Sequence, residues 1–234
     1  MCLLPGESCS PADGSDPCGA QEDARLELID DMEDGDRQVT RGGFAPTLWY
    51  AYNDGSDGGH ASMEVEPLPT AHCASRFALH LAANGFGLWG SGAGFALRSA
   101  ADSATDVGFD ARAYAGVQFR ARSGADVPTT LRLDVDDLHT DPVGGFCNPD
   151  LDASDRCYTM FTKTETVTGV WRVFHVAFDS LQQTPGQPGY RAASGLSVGA
   201  LYGMNWFVPS ANASQRTDVW IDDVAWFRVG APAP

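Results

Sequence analysis

Two stretches of this chain place adjacent carboxylates inside apolar, strand-like runs. One is Leu28-Ile29-Asp30-Asp31-Met32-Glu33 near the start, the other Trp220-Ile221-Asp222-Asp223-Val224-Ala225-Trp226-Phe227 at the end. A carboxylate taken out of water without a partner is costly, so each run calls for a cation or hydrogen-bond donors beside it. If the first and last strands lie side by side, as in a closed antiparallel sandwich, one Ca²⁺ answers both demands, with Asp31, Glu33 and Asp223 as hard oxygen ligands. Asp222 can replace Asp223 in that set, because the doublet alone does not say which member points inward. The simpler reading leaves these acids facing water at strand ends.

Between the two runs the dominant pattern is alternation. Arg76 to Ala82, Gly116 to Arg122, Thr129 to Asp136, Tyr158 to Thr168, Trp171 to Phe178 and Leu201 to Val208 read as strands, and the 26 glycines and 14 prolines supply many turns. In the short aromatic strand Leu48-Trp49-Tyr50-Ala51-Tyr52, Trp49 and Ala51 point one way and Tyr50 and Tyr52 the other. Leu131, Leu133 and Val135 share one face, while Arg132, Asp134 and Asp136 share a face that is solvated or lines a polar groove. Residues 1–25 carry three cysteines and almost no apolar periodicity, so they read as a tether ahead of one all-β domain over 26–230.

Charge and cysteine usage narrow the partners. A net charge of −16 with no basic stripe repels a phosphate backbone, so nucleic acid is excluded and neutral ligands or divalent cations are favoured. Six cysteines without a CxxC pair predict disulfides and an exported, extracellular or cell-surface setting. Cys147 and Cys157 bracket one loop and are expected to bridge; Cys9 with Cys18 is a second expected bridge, leaving Cys2 and Cys73. No run of about 18 apolar residues crosses a membrane, and a lipid anchor on Cys2 is the one attachment the sequence offers. A monomer is expected.

Several motifs lack their context. Gly85-Phe86-Gly87-Leu88-Trp89-Gly90 fits GxGxxG and Gly195-Leu196-Ser197-Val198-Gly199 fits GxSxG, but neither is followed by the helix its chemistry requires. The five histidines show no zinc spacing. Glu64/Glu66 and Asp134/Asp136 each place two carboxylates on one face of a strand, the raw material of a glycosidase. Trp49 to Gly59 sets aromatic rings beside an acidic, glycine-rich loop. That combination suits a sugar, since rings cover C–H faces and carboxylates accept hydroxyl hydrogen bonds.

With Ile29-Asp30-Asp31-Met32-Glu33-Asp34-Gly35, Trp49 through Asp54-Gly55, Trp171 and the closing Trp220-Ile221-Asp222-Asp223-Val224, the chain resembles the galactose-binding-like jelly-roll domains, in particular family 11 carbohydrate-binding modules. The resemblance implies an antiparallel two-sheet β-sandwich, a structural Ca²⁺ on Asp31, Glu33 and Asp223, no catalytic machinery, and a polysaccharide or cell-surface glycan as partner. The expected stacking residues are Trp49 or Tyr52, Trp89 and Trp206; Asp54, Asp141 and Gln182 are the expected hydroxyl contacts. Two other classes remain open, a jelly-roll glycoside hydrolase or polysaccharide lyase using one of the carboxylate pairs, and an adhesion or assembly module without a small ligand.

Overall fold

A computed structural model describes residues 25–99, 107–124, 128–150, 155–183, 189–210 and 214–228. Cys2, Cys9, Cys18 and nearly all of the expected tether lie outside them. The alternating stretches become fourteen strands: β1 (Leu26–Asp30), β2 (Gln38–Val39), β3 (Thr47–Leu48), β4 (Tyr50–Asn53), β5 (His60–His72), β6 (Ser75–Asn84), β7 (Gly90–Ala96), β8 (Gly116–Ser123), β9 (Thr129–Asp137), β10 (Phe161–Val167), β11 (Arg172–Ala177), β12 (Gln182–Gln183), β13 (Leu201–Pro209) and β14 (Arg216–Phe227). Among the described residues the helical structure is two 3₁₀ turns, Pro142–Gly144 and Phe178–Ser180.

The strands form two large antiparallel sheets. The first runs β11-β8-β14-β6-β5, with β1 also paired to β14; the second runs β12-β10-β9-β13-β7-β4. First and last strands are thus neighbours, with Leu26 opposite Phe227 and Asp30 opposite Val224. Leu79, Leu81, Val117, Phe119, Val219 and Ile221 from the first sheet meet Phe95, Leu131, Leu133, Val135, Met204 and Trp206 from the second in one core. Each set comes from alternate positions of its strand, so the intervening residues are left on the two outer faces.

Three local departures from the sequence reading have physical causes. β1 stops at Asp30 rather than Glu33, because Met32 takes a left-handed φ of 57° that ends the ladder while its side chain stays buried. The closing doublet sits on a bulge: register against β8 shifts between Asp222 and Ala225, Asp223 has φ 48°, and both carboxylates are buried. The glycine-rich segment expected to begin a strand at Gly94 forms it from Gly90. The Cys147–Cys157 bridge is present, with Cα atoms 5.0 Å apart. Cys73 is also disulfide-bonded.

Candidate functional site

The outer face of the second sheet is built by pairing register. One row crosses it as Gln182, Thr162, Asp134, Asn205, Gly94 and Tyr50, each opposite the next. A second row, two residues along, reads Thr164, Arg132, Phe207, Gly92 and Tyr52. Glycines at alternate positions of β7 make this possible. A β-carbon on Gly92 would run into the Tyr52 ring, and one on Gly94 into the Asn205 carboxamide.

Hydrogen bonds fix the polar members. Tyr50 Oη donates to Asn205 Oδ1 at 2.8 Å, and Asn205 Nδ2 donates to Asp136 Oδ2 at 3.1 Å. Arg132 spans Asp134 through Nε and Nη2, at 2.5 and 2.7 Å, while its guanidinium lies 4.3 Å from the Phe207 ring centre. Asp136 Oδ1 and Tyr52 Oη are buried with no partner among the described residues. Burial pushes Asp134 up to about 6 despite Arg132. It raises Asp136 well above the usual carboxylate range, helped by the charges of Asp141, Asp134 and Asp137.

The two ends of the face differ. At the acidic end Asp141 caps the 142–144 turn by accepting from Val143 N at 2.8 Å. Tyr158 sits there with a left-handed φ of 70°, its hydroxyl pushed up by burial and by the charges of Asp141, Asp136 and Asp150. At the other end Trp89, 44% exposed, lies with its ring centre 6.1 Å from Tyr52 and 5.9 Å from Phe207.

Four of the residues expected to touch ligand therefore belong to this face: Tyr52, Trp89, Asp141 and Gln182. Trp49 and Trp206 do not. Both are core residues, 2% and 0% exposed, with Trp49 4.7 Å from Phe95 and 5.2 Å from Trp206, and neither ring can receive a sugar. Asp54 is engaged with backbone: its Oδ2 accepts from Leu88, Trp89 and Gly90 N, and its Oδ1 from Ser56 N. Tyr50, Asn205, Phe207 and Tyr158 were missed. Tyr50 was legible, because alternation puts it beside Tyr52; the others depend on register and on a loop.

The expected calcium ligands separate. Asp31 and Asp223 line one cavity of about 280 Å³ with Gln118 and Arg120. Glu33 points elsewhere, accepting from the backbone N of Arg76 and Phe77 and pairing with the Arg76 guanidinium at 3.0 Å. Asp31 pairs with Arg41 at 3.0 Å and buried Asp223 with buried Arg120 at 3.2 Å. Among the described residues no three acidic, histidine or cysteine side chains converge to hold a metal ion. Arginines meet these carboxylates, so the trio does not fit a shared ion. Burial and the neighbouring Asp223 charge hold Asp222 strongly upward, and burial lifts Asp30 to about 6.

The carboxylate pairs and the two sequence motifs also find their places. Glu66 bonds His80, whose other nitrogen meets Asp218, on the outer face of the first sheet. Gly85–Gly90 crosses from β6 in the first sheet to β7 in the second, and the Gly195–Gly199 stretch is a turn in which Ser197 N donates to Asp137. Neither leads into a helix.

No protein-family model and no curated relative matches the sequence. Solved structures do. The chain is similar to the family 11 carbohydrate-binding module of a cellulosomal cellulase of Clostridium thermocellum, with a TM-score of 0.58 at 12% identity over 89% of this chain and 98% of that one. The family 11 module from Clostridium thermocellum in complex with a β-1,3-1,4-mixed-linked tetrasaccharide gives 0.54 at 11%, covering 77% of this chain and 88% of that one. An exo-β-agarase gives 0.53 at 13%, covering 88% of this chain but 25% of the enzyme. At these identities the likeness shows the fold: a jelly-roll sandwich of the family 11 module type. Among the described residues no helix is long and apolar enough to cross a membrane.

Proposed function

We propose that this chain is a non-catalytic carbohydrate-binding module of an exported protein, holding a neutral polysaccharide on the outer face of its second sheet. The observation that carries this reading is the pair of transverse rows, in which Tyr50 and Tyr52 stand beside a flat glycine strand and a line of carboxyl, amide and hydroxyl groups. Rings cover the C–H faces of a sugar, and polar groups fixed by one another take its hydroxyls. Asp134 already neutralises Arg132, and Asp141 adds negative charge at one end, so the face offers uronates and sulfated sugars no counter-charge.

The test is retention of the purified chain on mixed-linked β-1,3-1,4-glucan and on agarose, with reducing ends assayed in the same tubes. Retention without release supports the module. The rival hydrolase reading draws on the raised Asp134/Asp136 pair, since a general acid needs such a carboxyl. Against it, both carboxyls project from one strand and are held by Arg132 and Asn205, whereas glycosidases flank the scissile bond with theirs. New reducing ends would replace the binding module with that enzyme. Neither retention nor release would leave the assembly module.

A further inference from the structure

The loop carrying Trp89 has an unusual support. Phe86 is buried at the base of the loop, but Leu88 is 71% exposed and Trp89 nearly half exposed, so little apolar burial holds the tip down. Instead a single oxygen, Asp54 Oδ2, accepts from three consecutive backbone amides, Leu88, Trp89 and Gly90, at 3.0, 2.9 and 3.0 Å. Successive N–H groups aimed at one point form an anion cradle, here filled by the protein's own carboxylate. Asp54 N returns a bond to Gly90 O at 3.0 Å, and Ser56 Oγ accepts from Gly87 N at 3.1 Å. From the other side Ser210 N donates to Trp89 O at 3.1 Å, and Ser210 Oγ to Phe86 O at 2.7 Å. With three donors on Oδ2 and Ser56 N on Oδ1, this carboxylate has little capacity left for a hydroxyl.

What the loop holds up is a ring that continues the face. Tyr50 and Tyr52 lie 6.3 Å apart, Trp89 is 6.1 Å beyond Tyr52, and Phe207 stands 5.9 Å from Trp89 with Arg132 over its far side. The face thereby runs past its second row into an aromatic corner at the end away from Asp136 and Asp141. We infer that Trp89, seated against Tyr52 and the buried Phe207, forms a terminal subsite that only a chain longer than the central rows can reach, and that Asp54 is the positioning residue that presents it. The inference rests on the glycan-binding reading and deepens it. The ligand class is a neutral polysaccharide bound along its length, with the Trp89 corner adding affinity for the polymer over a short fragment.

The experiment compares dissociation constants for a polymer and for its tetrasaccharide, using whichever of mixed-linked glucan or agarose the wild-type chain retains. Wild type should prefer the polymer by about tenfold, the equivalent of 1.4 kcal/mol. Trp89→Ala and Asp54→Ala should bring that ratio to about one. Asp54→Asn should restore part of it, because the amide oxygen still accepts from the loop amides. Trp89 fluorescence should respond to the polymer in wild type and lose that response in Asp54→Ala. An unchanged ratio in Asp54→Ala, including one in which both affinities fall together, overturns the inference and leaves the glycan-binding reading standing. A wild-type chain that retains neither polymer overturns both.

Discussion

The two outer faces of the sandwich carry similar residues and differ in what lies over them. On the first sheet Trp220 has His80 stacked on it at 4.0 Å, and Arg122 lies between Trp220 and Trp171, at 5.2 and 5.5 Å from their ring centres. The tip of the β5–β6 hairpin folds across them: Leu68 packs against the cluster that Trp171 and Trp220 form with Ala78, His72 stacks on Trp171 at 5.5 Å, and Cys73 Sγ accepts from Arg120 Nη1 at 3.2 Å. Trp220 and Trp171 end up 6% and 9% exposed. On the second sheet no such arm exists among the described residues, and Tyr50 remains 41% exposed. Rings and charges make a core under a hairpin and an open face, the proposed binding surface, without one. Cover, rather than composition, separates the two.

The sharpest way to break this contrast is to truncate one ring on each face. Trp220→Ala should cost about 3–5 kcal/mol of stability, the usual range for a buried tryptophan, read by urea unfolding. A loss as large from Tyr50→Ala would erase the distinction. Opening the Cys147–Cys157 bridge should cost about 2 to 3 kcal/mol from loop entropy. The loss of affinity should exceed the loss of order, because the bridged loop stands beside Tyr158 and Asp141 at the open face. Binding unaffected by reduction would detach that loop from the site. Tyr50→Ala should weaken polymer binding by about 2 kcal/mol, the scale of an aromatic hot spot, with little change in Tm. Titration calorimetry beside thermal unfolding separates the two effects.

Smaller effects follow from the buried acids. Asp134 and Asp30 are lifted from 3.8 to about 6 by burial. An acid raised in the folded state favours folding while protonated; its contribution is complete below about pH 4 and is lost as pH rises through 6. Tm should therefore climb on acidification from pH 7 to pH 5. Asp136→Asn, which replaces a buried carboxyl with one oxygen unpartnered among the described residues, should raise Tm at pH 7 by about 2–4 °C, the shift that 1 kcal/mol produces at this size. A fall instead would show that a donor outside the described residues holds Asp136 ionised. The smallest expected effect is that of a chelator. With arginines on Asp31, Glu33 and Asp223, EDTA should leave Tm within about 1 °C, whereas a resident ion at a hundred times its dissociation constant would contribute about 2.7 kcal/mol.

Strand order aside, most of the fold was legible, because alternation in segments such as Thr129 to Asp136 states both the strand and its two faces. Alternation also separated Trp49 from Tyr50. It did not say which side was core, and the stacking roles expected of Trp49 and Trp206 failed there. In β13 the apolar weight of Met204, Trp206 and Val208 against Gly203, Asn205 and Phe207 held the answer. The first and last strands do lie side by side, the condition under which one ion could have served both acidic runs, yet the compensating charges come from arginines distant in sequence. Asp54 was found as an acid beside rings, but three amides converging on one oxygen arise from a loop closure that no local pattern encodes.

Gly92 and Gly94 act like the blank spaces in a stencil. They meet no ligand themselves, yet the Tyr52 ring and the Asn205 amide lie where they do because two β-carbons are missing beneath them. Each missing β-carbon would also run into the backbone of β13, at the Trp206 or Met204 carbonyl, so a larger residue at either position would disturb the strand pairing beneath the face as well as the ring and the amide on it.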